Sequence, residues 1–191
     1  AELPAGATVG TSSLRRKAQL LRLRPDLWIA NLRGNLDTRL RKLDEGQYDA
    51  IVMAAAGLRR LGWPDRITAL LSPAECLPAV GQGVLALEAR AADADVLAAV
   101  AGLDDAGSRA CVTAERTFLA MVEGGCQVPV GVYGRMNGEK LALQARILSL
   151  DGTRCVEDET VGDPSQAATL GDSLARRLLA AGGEEILAEL G

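Results

Sequence analysis

Within the first 61 residues a short apolar strand pattern gives way to helical periodicity three times over. No other feature constrains the fold more. Residues 7–10, 27–31 and 49–53 read as strands, and the stretch after Thr11-Ser12-Ser13 to about Leu23, then 35–45 and 55–61, as helices. Leu14, Ala18 and Leu21 recur on one face of the first helix, and Gly46 stops the second. Strands separated by helices cannot pair as hairpins. They pair in parallel, with the helices covering the sheet. Arg22 and Arg24, at the far end of the first helix beside Pro25, are expected to face solvent.

The alternation stops at Leu77-Pro78-Ala79-Val80-Gly81-Gln82-Gly83, whose Pro and Gly residues mark a crossover or hinge. Residues 84–88 read as one more strand and 93–100 as a helix. From 108 the pattern is different. A long helix reaches about 122 and ends at Gly124-Gly125-Cys126; strands follow at 130–135, 140–149 and 154–161. Asn137-Gly138 and Asp151-Gly152 are hairpin turns. A helix over 165–181 and a short one near 184–190 close the chain. The fold class is therefore α/β: a lobe with a parallel-rich sheet, followed by a small α+β domain with a three-stranded antiparallel sheet. With only five aromatic residues, Leu, Val, Ile and Ala must build both cores.

Several chemistries are excluded. There is no histidine, which removes Ser-His and Cys-His hydrolases and the commonest metal ligand. Cys76, Cys111, Cys126 and Cys155 lie at wide, irregular spacings with no CxxC, so no metal site is expected and they read as reduced thiols of a cytoplasmic protein. Cys111, spaced with Ala114, Phe118 and Met121, reads as a core residue. No apolar run approaches the roughly 20 residues of a membrane span. Charge is uneven: residues 1–77 carry twelve basic and eight acidic side chains, the remainder nine and seventeen. The first part favours anions, but scarce aromatics and an acidic total argue against nucleic acid.

The Gly10-Thr11-Ser12-Ser13-Leu14-Arg15-Arg16 stretch combines a strand-to-helix junction, hydroxyls and two arginines, three devices that bind anions. Arg33 follows the second strand, with Arg39 one turn into its helix; Arg59 and Arg60 follow the third. Open α/β sheets bind ligands at the carboxyl ends of their strands, so a polycarboxylate or polyphosphate suits this edge. A capped helix with a solvated basic face is the plainer reading of the same residues. Cys126, on a glycine-rich turn, is either presented outward or simply packed.

Taken in order, GTSSLRR (10–16), LRGNLDTRL (32–40), YDAIVMAAAGLRRLG (48–62), LPAVGQG (77–83), TAER (113–116) and EGGCQVPVG (123–131) resemble the hydroxymethylbilane synthase (porphobilinogen deaminase) family across essentially the whole chain. The resemblance implies a periplasmic-binding-protein-like lobe over 1–77. It places a hinge with the returning strand and helix of another lobe over 78–105, and a C-terminal domain bearing the cofactor cysteine over 106–191. It implies a transferase that joins four porphobilinogen units head to tail on a dipyrromethane primer held by a thioether to Cys126. A thiolate suits that role because a soft nucleophile adds to the electrophilic methylene pyrrolenine left by loss of ammonia. Every pyrrole carries an acetate and a propionate, so the growing oligopyrrole chain is a polyanion. By motif match Arg15, Arg16, Arg33, Arg39 and Arg60 bind these carboxylates, Thr11 and Ser13 are hydroxyl partners, and Gln82 and Gly83 line the hinge. Arg116 also matches, in a structural role or in chain movement. The whole protein is expected to be a cytoplasmic monomer.

The family's catalytic aspartate belongs to a segment that precedes these residues, so no catalytic residue is expected here and the 191-residue chain alone is expected to be inactive. With the sheet partners of 84–102 belonging to the same segment, that stretch is expected to be disordered, repacked or swapped, and the chain to self-associate. Two rival readings remain: a non-catalytic polycarboxylate-binding module, and a thiol oxidoreductase using Cys126. The isolated chain should not consume porphobilinogen in a direct assay; turnover near that of a full-length family member would place the chemistry elsewhere.

Overall fold

In the computed structural model, which describes residues 3–122 and 128–190, the expected parallel sheet forms from three very short strands. They are β1 (Thr8–Gly10), β2 (Trp28–Ala30) and β3 (Ala50–Ile51), in the order β2-β1-β3. Val9 pairs with Ile29 on one side and Ala50 on the other. The helices α1 (Leu14–Leu23), α2 (Leu36–Asp44) and α3 (Ala55–Arg60) follow the strands in turn. Ser13 caps α1 by accepting the Arg16 N–H at 3.3 Å, and Asn35 caps α2 by accepting that of Thr38 at 2.9 Å. Ala7, Val9, Leu20 and Leu27 form the small core beneath. The third strand is shorter than 49–53, but its flanks still bond β1: the Asp49 and Val52 N–H groups donate to the Thr8 and Gly10 carbonyls at 2.9 and 3.1 Å, and the Asp49 carboxylate takes the Thr8 N–H at 2.7 Å.

The buried side of α1 is not the apolar stripe its periodicity suggests. Arg15, Ala18, Gln19 and Leu20 are buried, while Leu14 and Leu21 are half-buried. Nor does Arg24 face solvent freely. It pairs with Asp26 at 2.6 Å and donates to the Leu3 and Pro4 carbonyls, tying the chain's first turn to the helix end. Arg22 is exposed as expected.

The stretch 84–88 forms no strand, contrary to the sequence pattern. Among the described residues nothing pairs with it, and Leu85 and Leu87 are 76% and 62% exposed. Beyond it lies one short helix, α4 (Ala94–Val100), capped by Asp93. An apolar run becomes a strand only where a neighbour completes its ladder.

The C-terminal part matches its reading closely. Helix α5 (Ala106–Met121), capped by Asp105, precedes the antiparallel meander β4 (Val130–Asn137), β5 (Lys140–Leu148) and β6 (Cys155–Gly162). Gly138 takes the positive φ that the β4–β5 turn needs, as Gly152 does between β5 and β6. Helix α6 (Ala167–Leu178) packs on α5, and Phe118, Val132, Leu141, Ile147 and Leu174 are fully buried between helices and sheet. Cys111 lies in this core, as expected. The expected 165–181 helix is interrupted: it opens as a 3-10 turn and passes through a π turn (Leu179–Gly183), where Gly182 has φ 107°, before α7 (Glu184–Ala188).

Polar groups join the two parts. Gln19 is fully buried, donates to the Leu77 carbonyl at 3.1 Å and accepts the Leu77 N–H at 2.8 Å. Its oxygen also accepts from Arg146 of β5 at 3.1 Å, and Arg146 reaches the Ala74 carbonyl and Glu157. Gly131 of β4 sits so close to Leu77 that an added Cβ would meet the Leu77 Cβ at 2.6 Å. Gly152 leaves similar room for the α1 backbone, since a Cβ there would lie 2.6 Å from the Arg22 nitrogen. Replacing Gln19 with Leu strands the buried Leu77 N–H and an Arg146 guanidinium donor, while the Leu77 carbonyl keeps its bond from Arg15. A loss of roughly 2 kcal/mol or more is expected, at about 1–3 kcal/mol for each unsatisfied group. Urea unfolding measures it, and a change below about 1 kcal/mol, the worth of one ordinary exchangeable hydrogen bond, would show that the clasp is not a structural anchor.

Candidate functional site

The carboxyl ends of β1, β2 and β3 carry most of the residues singled out from the sequence. In a sheet ordered β2-β1-β3, the first crossover runs from β1 to one side and the second passes back across β1 to β3 on the other, which makes the carboxyl ends of β1 and β3 the switch point at which such sheets bind ligands. Thr11 and Ser13 lie at the β1–α1 junction. Thr11 is buried and its hydroxyl accepts the Ser13 N–H at 3.2 Å. Ser12 bonds Asn31 at 2.6 Å and the Leu32 carbonyl, locking the first junction to the second. Arg16 reaches from the start of α1 across to the segment beyond β3, donating to the Val52 carbonyl at 3.0 Å. Arg39 donates to the Gly34 carbonyl at 2.8 Å. Gly34 has φ 122°, and an added Cβ would lie 2.7 Å from Thr38, so only glycine makes this turn without strain.

Positive charge concentrates here. Burial lowers the Arg16 pKa from its ordinary value; Cys76 opposes that shift and Arg39 adds to it. Burial likewise lowers that of Arg15, with Cys76 again opposing and Arg16 adding repulsion. Arg15 is the more confined of the two, only 8% exposed. It donates to the Leu77 carbonyl and, at 2.9 Å, to the Gln82 side chain. Among the described residues no carboxylate pairs with it. Cys76, which had no context in the sequence, lies 3.6 Å from the Gln19 amide and 3.9 Å from the Arg15 guanidinium.

Other sequence-chosen residues stand apart from this group. Arg33 is exposed, as is Arg60 in the last turn of α3. Gln82 is brought to the site by its bond to Arg15, while Gly83 is exposed with open space around it. Arg116 is exposed on α5. Cys126 lies outside the described residues. Among those described, no group of acidic, cysteine or histidine side chains could hold a metal ion.

Hydroxyls, helix starts and arginines gather at the carboxyl end of a parallel sheet in an α/β lobe, which is coupled to a small α+β domain. Residues 1–98 match the family model described as "Porphobilinogen deaminase, dipyromethane cofactor binding domain", and residues 109–180 match "Porphobilinogen deaminase, C-terminal domain". The chain belongs to the porphobilinogen deaminase family. It is 57% identical over 188 residues to the porphobilinogen deaminase of Roseiflexus castenholzii, covering 98% of this chain and 62% of that protein. It is 56% identical over 189 residues to that of Desulforudis audaxviator, covering 99% and 61%. With that of Bordetella parapertussis the identity is 55% over 190 residues, covering 100% and 60%. The chain thus spans about three-fifths of the length of these relatives.

Sequence reasoning passed over Glu115, the buried acid of the TAER motif. Its carboxylate accepts the Gly81 N–H at 2.6 Å and the Gly134 N–H at 2.7 Å, fastening the hinge and β4 to α5. A Glu at core spacing on an otherwise apolar helix face, four residues after Cys111, was the available signal. Burial raises its pKa above the ordinary 4.5, outweighing the two N–H bonds that pull the other way. A carboxyl raised on folding contributes most below its unfolded pKa, and that contribution is lost as pH rises through the folded one. The stability of the wild type relative to Glu115→Gln should therefore fall as pH rises from about 4.5 through the raised pKa of Glu115. Denaturant melts across that range give the difference; a rise with pH would mean that the two N–H bonds dominate.

Proposed function

We propose that this chain binds and orients the carboxylates of a growing oligopyrrole in a hydroxymethylbilane synthase. The whole protein would condense four porphobilinogen units head to tail, releasing ammonia at each addition and finally hydroxymethylbilane, in tetrapyrrole biosynthesis. Family membership supports this reading. The observation that carries it is Arg15: a buried cation without a carboxylate partner among the described residues, set where hydroxyls, helix starts and a second arginine converge. Buried charges are ordinarily paired, so this arrangement suits an anion that arrives from outside.

The donor set fits a dipyrromethane, whose acetate and propionate groups are carboxylates. When bound, it would supply the primer to which new units are joined. In this reading Cys126 carries it through a thioether. Arg15, Arg16 and Arg39 hold its side chains, with Ser13 and Thr11 shaping the junction and Gly83 leaving room for close approach. Arg33 and Arg60, exposed and apart from that group, take the carboxylates of incoming units, and Gln82 and Arg116 attend the moving chain. Guanidinium forks fix carboxylate planes as well as charge, so the arginines set the orientation of the pyrrole rings. We place the whole protein in the cytoplasm as a monomer, a reading that the unpaired thiols of Cys76, Cys111 and Cys155 support.

The test is mass spectrometry of the full-length protein. An adduct of two pyrrole units on Cys126 is expected, and an unmodified Cys126 in active enzyme would sink the proposal. Arg16→Leu should lower the fraction carrying the adduct markedly, since a charge-assisted hydrogen bond is worth roughly 1.5–3 kcal/mol. Arg16→Lys should restore it in part, keeping charge but losing the fork. Arg22→Leu, at the exposed far end of α1, should leave it nearly unchanged. Equal effects at 16 and 22 would show that the site is not at this helix start.

A further inference from the structure

The Arg15 guanidinium has two kinds of partner. One is the Leu77 carbonyl, a backbone group that Gln19 also holds at 3.1 Å. The other is the Gln82 side-chain oxygen, at 2.9 Å. The two differ in mobility. Leu77 is fully buried and clamped from both sides by Gln19 and Gly131, so its carbonyl cannot leave. Gln82 belongs to an exposed side chain on a glycine-flanked turn, and only two bonds restrain its oxygen. The second is the Ala79 N–H, 3.1 Å away. One exposed neutral amide therefore both covers a buried cation and holds the Ala79 N–H, in a turn whose backbone is closed separately by the Gln82 N–H donating to the Ala79 carbonyl at 3.0 Å.

Resting on the reading given under Proposed function, we propose that Gln82 is an internal stand-in for the ligand's carboxylate: it occupies Arg15 until a carboxylate displaces it, and its departure releases the Ala79 N–H and so loosens the 79–82 turn of the hinge. The exchange is favourable in direction. A carboxylate accepts from a guanidinium more strongly than a neutral amide does, and it supplies the counter-charge that Arg15 lacks among the described residues. The displaced Gln82 loses little, because its side chain already borders water. The consequence reaches the second part of the chain. Gly81, inside the same turn, donates its N–H to Glu115 of α5 at 2.6 Å. Val132 of β4 donates to the Pro78 carbonyl at 3.1 Å. Carboxylate arrival at Arg15 is thereby coupled to the segment that ties the lobe to the C-terminal domain, with no new contact needed at the domain itself.

Gln82→Met, similar in length and unable to accept a hydrogen bond strongly, separates the stand-in from a ligand contact. Hydrogen exchange at the Ala79 amide reads the latch directly, because the Gln82 oxygen is that amide's acceptor. The probes are porphobilinogen and glutarate, a plain dicarboxylate, each titrated by calorimetry. In the wild type, either bound probe should speed exchange at Ala79. In Gln82→Met that exchange should be fast without ligand and unchanged by it. Binding should be tighter by about fivefold, the competition of one neutral hydrogen bond. Slower Ala79 exchange on binding, or weaker binding by Gln82→Met, would overturn the proposal and make Gln82 a direct ligand contact. No response of Ala79 to either probe would also overturn it. If glutarate gives the expected signature and porphobilinogen does not bind, the latch stands and the proposed substrate falls. If porphobilinogen binds and leaves Ala79 unmoved, the substrate stands and the latch falls.

Discussion

The structure depends on a single buried amide. Gln19 satisfies both the N–H and the carbonyl of Leu77 and receives Arg146 from the C-terminal sheet, so one side chain joins α1, the hinge and β5. Leu77 follows directly as a fully buried residue held where Gly131 leaves it room. A hydrophobic seam would tolerate sliding, because apolar contact has no fixed direction. A fully satisfied polar clasp has one geometry, and any displacement leaves groups unbonded at a cost well above that of the bonds themselves. The lobe and the C-terminal domain are accordingly held in register by direction rather than by area.

That clasp also sets the character of α1. Its buried side is half polar because it faces two neighbours with different needs. Ala18 and Leu20 meet packed surroundings, while Arg15 and Gln19, one turn apart, meet the backbone of the hinge. The Gln19 amide additionally donates to the Arg15 carbonyl at 3.3 Å, so the anchor and the buried arginine of the candidate site share a turn of helix. The structural joint and the candidate site are thus adjacent pieces of one element.

What the sequence made legible follows from how local each signal is. The β1, β2 and β3 pattern, the helix start after Thr11-Ser12-Ser13 and the hairpin turns at Gly138 and Gly152 are each written within a few residues, and each formed. The strand at 84–88 did not, because a strand is a property of two segments and its apolar run says nothing of the second. The clasp was illegible for the same reason. Gln19 and Arg146 are 127 residues apart, and neither residue type announces burial. Glu115 was hidden differently: its partners are backbone N–H groups of glycines, which leave no mark in a pattern of side chains. The arginine cluster was legible as charge at strand ends, but its division into a buried member, two bonded members and exposed members was not.

That division has a physical logic. Arg16 and Arg39 spend hydrogen bonds on the carbonyls of Val52 and Gly34, which fixes their stems while leaving other N–H groups of each fork free to meet a ligand. Arg33 and Arg60 are exposed and retain rotamer freedom, so ordering them on a ligand costs more than using an arginine already in place. Arg15 is the most restrained and the most desolvated, with burial the leading influence on its pKa. Electrostatic attraction grows as water is excluded, so the same carboxylate gains most from the arginine that is hardest to reach. Under the proposed function, a site graded in this way would grip one anion firmly at the buried arginine and hold others loosely at the exposed ones. A chain of similar carboxylates bound at one end and moved at the other would be served by that gradient, which a uniform basic surface does not supply.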